Sequence, residues 1–354
     1  MMTQKTPRNS SVELLRILAM GMIVLSHICC HSGFDYTYSL LSINRLFVQF
    51  GLLGDLGVAV FLLISGYFRS GFRTRALSRL LTQVWFYSVS LFLVCRFVLG
   101  YAYTGEMLLQ VFLPTIYNEY WFFTAYVVFF QLSPFVNAML DNLSRQQLKR
   151  MLILMAVLWS AIPGLTKQHL YGAELPQFLM YYCVGAYFRM YPDNRFRKKS
   201  LQWAAVIGAF VLLFGLTAAL GYMERITPEA FGASSPLYSR NSPLILMAAV
   251  GMFSLAVYAK PFTNRFINTV GGCTFGVYLI HDNPVVRELL WKNWLHWGHY
   301  FTSGSFILRL VASVVLVYVV CTMLEWIRQK TVAGPMERLA DGFLSRRAEK
   351  FTSV

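Results

Sequence analysis

Residues 14–30 read Leu14-Leu15-Arg16-Ile17-Leu18-Ala19-Met20-Gly21-Met22-Ile23-Val24-Leu25-Ser26-His27-Ile28-Cys29-Cys30. Extended back to Val12, this apolar run approaches the roughly 20 residues a helix needs to cross a bilayer. Arg16 and His27 interrupt it. They stand eleven residues apart, close to three helical turns, so both fall on one face of one helix. A cation and a titratable imidazole inside a membrane span are costly, face the bundle interior and mark function. Two plainer readings stand beside this one: an arginine near a span end snorkels to the interface, and an interfacial histidine bonds a carbonyl. Glu13, one turn before Arg16, is placed to pair with it.

The rest of the chain follows the same pattern. Of 354 residues, 56% are hydrophobic and only 13% charged, where a soluble domain is charged at about a quarter of its positions. The mean hydropathy is +0.51. Charges bunch between apolar runs, which predicts an all-α polytopic membrane protein. We read ten spans, at residues 12–30, 46–68, 80–99, 120–140, 151–165, 175–191, 203–223, 242–259, 269–291 and 305–326. The first apolar run is too long for a signal-peptide core, and no cleavage site follows Cys30. Residues 1–330 read as the transmembrane domain and 331–354 as a cytoplasmic basic tail.

The net charge of +15 does not make this a nucleic-acid binder. Basic residues form no continuous stripe and no recognition fold is visible. With the N-terminus placed inside, 21 lysines and arginines fall in inner segments and 5 in outer ones, counting Arg45, Lys167, Arg225, Arg240 and Lys292 as outer. That bias predicts two cytoplasmic termini. The six cysteines lie in or beside spans and show no metal-ligand spacing. The longest outer loop, Glu224 to Asn241, is expected to cap a cavity.

Other polar groups sit at membrane depth. Asp55 in the second span needs a partner, for which His27 or Arg16 would serve. Ser65-Gly66 lets a helix or a ligand approach closely. His281 in the ninth span has Asp282 beside it, but neighbours on a helix do not face each other, so Asp282 is not expected to orient His281. Arg69, Arg73, Arg75 and Arg79 crowd one inner loop. Charge bias accounts for several, and phosphate binding would want the same residues. Aromatics at span ends, such as Tyr120-Trp121-Phe122, read as an interfacial belt, or in one or two cases as sugar-stacking platforms. His169, His296 and His299 look like solvated loop residues. No phosphate-binding loop, zinc motif or nucleophile elbow occurs.

Arginine, ten residues, then histidine in the first of ten spans resembles acyltransferase family three, the membrane O-acyltransferases of surface glycans. Further matches are Phe61 to Tyr67, Tyr120-Trp121-Phe122-Phe123, Leu132-Ser133-Pro134 and Thr274 to His281. The resemblance implies acetyl-CoA as cytoplasmic donor, with no metal, and a glycan or glycolipid hydroxyl as acceptor. It implies His27 as catalytic base with Arg16 as its partner, and a multi-pass protein among the lipids of a bacterial cytoplasmic membrane. It also implies a donor-binding set of Ser65, Gly66, Arg73, Arg75 and Arg79. Asp55, Trp121, Tyr278 and His281 are expected as supporting or acceptor-side residues. Ala59 and Thr82 depart from the family pattern, which often has an aspartate and a proline there. No esterase-like domain follows the spans, so a stand-alone member is expected. The acceptor and any homodimer are left open. The rival reading from another class is a transporter or flippase, though repeat symmetry and paired broken helices are not evident.

Overall fold

In the computed structural model of the protein, α1 (Ser10–His31) starts where Asn9 accepts the Ser11 N–H and ends with the Ser32 N–H bonded to the Ile28 carbonyl. The structure describes residues 8–34, 42–71, 73–166, 174–227, 235–295 and 297–340. Lys5, Lys167, His169, His296 and the tail beyond residue 340 lie outside the described residues.

The chain continues through α2 (Ile43–Phe50), α3 (Gly54–Tyr67), α4 (Thr74–Leu93) and α5 (Gly105–Phe112). Then come α6 (Trp121–Asp141), α7 (Arg145–Ala156), α8 (Ile162–Thr166), α9 (Glu174–Met190) and α10 (Lys199–Ile226). The last are α11 (Pro243–Val257), α12 (Arg265–His281), α13 (Pro284–Glu288) and α14 (Phe306–Thr331). Among the described residues there is no β-strand. Among the described residues seven helical segments are long and apolar enough to cross a membrane: Ser10–His31, Ile43–Tyr67, Thr74–Val98, Trp121–Asp141, Lys199–Glu224, Pro236–Val257 and Phe306–Thr331. The other three expected spans fall on α7–α8, α9 and α12–α13, which are helical but short or interrupted.

Two spans expected as continuous helices are broken, and both breaks matter. The second is cut at residues 51–53 into α2 and α3. The ninth stops at His281, and Asn283 caps a new start at Pro284 by accepting the Val285 and Val286 N–H groups. Elsewhere a proline is absorbed without a break. Pro134 in α6 cannot donate to the Phe130 carbonyl, and the Ser133 hydroxyl donates to that oxygen instead, at 2.6 Å.

The central helices α1, α3 and α9 pack on backbone-to-backbone seams. A Cβ at Gly57 would stand 2.4 Å from the Ala19 carbonyl oxygen, so only glycine lets α3 cross α1 this closely. Gly66 and Gly185 play the same part between α3 and α9. Toward lipid, α10 and α14 present large exposed apolar residues such as Val211, Phe214, Leu308 and Val315.

One expectation is corrected here. Arg45, counted above as an outer-loop residue, is 1% exposed and ion-paired with Glu224 of α10, itself 0% exposed. Glu224 belongs to the helix rather than to the loop. An arginine close to an apolar helix run is tolerated when a buried carboxylate meets it. Arg45→Met is expected to cost roughly 3–5 kcal/mol, because it removes the cation that meets the buried Glu224 carboxylate, and Arg45→Met with Glu224→Leu to recover most of that. Thermal unfolding in detergent reads both.

Candidate functional site

α1, α3, α6 and α12 leave between them a cavity of about 640 Å³. Arg16, Met20, Ile23, Ser26, His27, Cys30 and His31 of α1 line it, spaced by threes and fours as one helical face requires. Arg16 and His27 therefore share one cavity, about 16 Å apart along the helix axis. Ile64 and Ser65 of α3 and Tyr126 of α6 stand at the Arg16 end, and the Ser65 and Tyr126 hydroxyls are 3.4 Å apart. Gly54, Asp55, Trp121, Tyr238 and Ser239 stand at the His27 end. Tyr238 and Ser239 come from the segment before α11, so part of the long loop does close over the cavity.

Arg16 Nη1 is 3.3 Å from Glu13 Oε1, the pair expected from their spacing. Glu13 in turn is wedged against Gly271, where a Cβ would meet its Oε2 at 2.5 Å. The guanidinium is thus held from below while its side chain stays 30% exposed to the cavity.

At the other end a chain of hydrogen bonds defines the state of His27. His281 Nδ1 lies 2.6 Å from the Val277 carbonyl oxygen. A carbonyl only accepts, so His281 carries its proton on Nδ1 and its Nε2 is an acceptor. That Nε2 lies 3.0 Å from His27 Nδ1, which must therefore donate. The neutral His27 ring is left with a bare Nε2, the form a general base requires. Asp282 Oδ1 sits 3.4 Å from His27 Nδ1 and 3.2 Å from Arg287 Nη1. A carboxylate there favours a positive charge on the His27 ring during proton transfer.

Sequence reasoning placed His281 nearby but missed Asp282 as a partner of His27. The signal was Pro284: a proline two residues on ends the helix, and a capping carboxylate can turn where a helical one cannot. His31 was missed as well. It is one turn beyond His27, lines the cavity and meets the His27 ring edge-on with centroids 5.6 Å apart.

Asp55 is corrected on two counts. It lies in the first turn of α3, since the span breaks before it, and not midway along a continuous helix. Its partner is neither His27 nor Arg16 but Arg240, with Nε 3.1 Å from Oδ1 and the Arg240 backbone N–H donating to Oδ2 at 3.0 Å. Tyr278 lines the cavity, while His281 stands behind His27, fully buried.

The residues expected around a donor are divided. Ser65 lines the cavity. Gly66 does not: a Cβ there would stand 2.0 Å from the Tyr182 carbonyl oxygen, so it serves the α3–α9 seam. Arg73 and Arg75 are exposed at the start of α4, outside the cavity wall. Arg79 meets Glu337 at 2.8 Å, which draws the helical residues 333–340 of the expected tail against α4. Arg69 is clasped by both carboxylate oxygens of Asp141, at 2.6 and 2.7 Å. Among the described residues no cluster of three metal-ligating side chains occurs.

The helical bundle thus leaves a cavity with a polarised histidine at one end and an arginine at the other. The family model of the acyltransferase domain matches residues 9–326, from the cap of α1 to α14. The chain belongs to acyltransferase family 3 and is by family a membrane acyltransferase. No curated protein and no solved structure gave a match.

Proposed function

We propose that this protein transfers an acetyl group from cytoplasmic acetyl-CoA to a hydroxyl of a surface polysaccharide or its lipid-linked precursor. The observation that carries the reading is the bare Nε2 of His27 on the wall of a cavity that also holds Arg16. His27 Nε2 takes the proton of the acceptor hydroxyl as its oxygen attacks the thioester carbonyl carbon. The C–S bond then breaks, and the proton passes from the His27 imidazolium to the departing thiolate. Asp282 and the His281 hydrogen bond favour the imidazolium in between.

Coenzyme A enters at the Arg16 end, where Arg16 holds its phosphate end or the developing negative charge. Ser65 borders that end, and Arg73 and Arg75 offer positive charge outside it. The acceptor reaches His27 from the opposite mouth. In this arrangement the termini and the Arg16 end are cytoplasmic, in a bacterial inner membrane.

The test is transfer of radiolabelled acetyl from acetyl-CoA to a crude glycan fraction by the purified protein. Label in the glycan is expected. Substrate uptake into vesicles with no acyl transfer would make the protein a transporter instead. His281→Gln is expected to keep more activity than His281→Phe. A glutamine amide oxygen can still accept the His27 Nδ1 proton, whereas a phenyl ring leaves the base free to turn, at a cost of about tenfold or more in turnover. Steady-state rates at saturating donor compare the two.

A further inference from the structure

Asp55, Arg240 and Trp121 come from three separate parts of the chain and form one unit at the His27 end of the cavity. The Arg240 guanidinium lies over the Trp121 ring, 4.5 Å from its centroid, while its Nε is 3.1 Å from Asp55 Oδ1. The Arg240 carbonyl is fixed in turn by the Tyr181 hydroxyl at 2.8 Å. Arg240 itself is not part of the cavity wall, but Asp55 and Trp121 both are. The guanidinium thus backs the indole and anchors the carboxylate, and both residues line the cavity. Ser239 adds a hydroxyl beside them.

An aromatic face next to an acceptor-only carboxylate suits one chemistry. A pyranose ring stacks its C–H face on indole and donates hydroxyl protons to the carboxylate. Charge narrows the choice further. Asp55 is on the cavity wall and Arg240 stands behind it, so the wall offers an incoming uronate or phosphosugar the carboxylate and not the guanidinium, which disfavours both.

We infer that this unit is the acceptor subsite, that it selects an uncharged pyranose, and that Arg240 is the positioning residue that sets both contacts. The inference rests on the transfer reading above but is separable from it, because sugar binding can be read without any donor.

The experiment has two arms, both on the full chain in detergent. In the first, methyl glucopyranoside, methyl galactopyranoside, methyl rhamnopyranoside and methyl glucuronopyranoside are titrated calorimetrically without acetyl-CoA. At least one neutral glycoside is expected to bind, and the glucuronide to bind at least about tenfold more weakly. In the second, acetyl transfer to the neutral glycoside that binds best is followed in Arg240→Gln, Arg240→Lys, Asp55→Asn and Trp121→Leu. The acceptor KM is expected to rise about tenfold or more in Arg240→Gln, Asp55→Asn and Trp121→Leu, with the acetyl-CoA KM unchanged. Arg240→Lys restores part of the loss through its remaining charge. Size-exclusion profiles exclude variants that fail to fold, and any one folded variant suffices.

The inference is overturned if no neutral glycoside binds, if the glucuronide binds as well as the neutral rings, or if donor and acceptor KM rise together. Glycoside binding that is lost in Asp55→Asn, in a protein that transfers no acetyl, would keep the subsite and remove the acyltransferase reading alone.

Discussion

His27→Ala is expected to bring acetyl transfer down by about 10²–10⁴-fold, the usual worth of a positioned general base. The protein should still insert and purify. The loss comes from one atom, the Nε2 left unprotonated by the two-step hydrogen bond through His281 to the Val277 carbonyl. Alanine also strands the buried His281 Nε2, so part of any effect could be blamed on stability. His27→Gln separates the two causes. Its amide can donate to His281 as His27 Nδ1 does, yet it has no basic nitrogen. Equal inactivity in the alanine and glutamine variants, with a wild-type melting curve for the latter, assigns the loss to base chemistry. Activity near wild type in His27→Gln would remove His27 from that role.

Gly66→Ala should produce the largest effect on stability for the smallest change. The new methyl would stand 2.0 Å from the Tyr182 carbonyl oxygen, and backbone cannot swing aside as a side chain can. The facing glycine, Gly185, is in the same position against the Leu63 carbonyl oxygen, at 2.1 Å. The α3–α9 seam must open, at a cost of about 3 kcal/mol or more. Ser65 is the next residue and lines the cavity, so the donor end should widen with the seam. Gly208→Ala in α10 is the control: nothing lies within 4 Å of its Cβ position, and alanine is the better helix former there. Unfolding temperatures in detergent should fall for Gly66→Ala and hold or rise for Gly208→Ala. A Gly66→Ala protein as stable as wild type would mean the two helices are not packed as described.

Helical segments were legible because period and length are written in the side chains themselves. All ten expected spans start within six residues of a helix start, and eight of them within four, the usual error for element boundaries. The second and ninth spans were misjudged in the same way. Apolar composition runs straight through residues 51–53, so hydropathy cannot register that change of backbone direction, whereas the break in the ninth span is marked by Asp282, Asn283 and Pro284, which a span drawn by length alone passes over. Asp55 was assigned the wrong partner for a related reason. Arg240 is 185 residues away, and no local rule links them. Arg45 shows the limit of charge counting: a buried pair and a solvated loop residue look alike in sequence. The arginines after Tyr67 were grouped by proximity, but Asp141 and Glu337 engage two of them individually.

By itself the sequence determined that this is a helical membrane protein and that Arg16 and His27 share one helix face, because a fixed rise and rotation per residue make spacing a statement about geometry. It also carried the family. Only the tertiary structure decided that the shared face borders an open cavity, that His281 polarises His27, and that Asp282 rather than Asp55 is its carboxylate. Those facts depend on α1 meeting the end of α12 across some 250 residues of chain, a contact set by helix packing and not by any local preference.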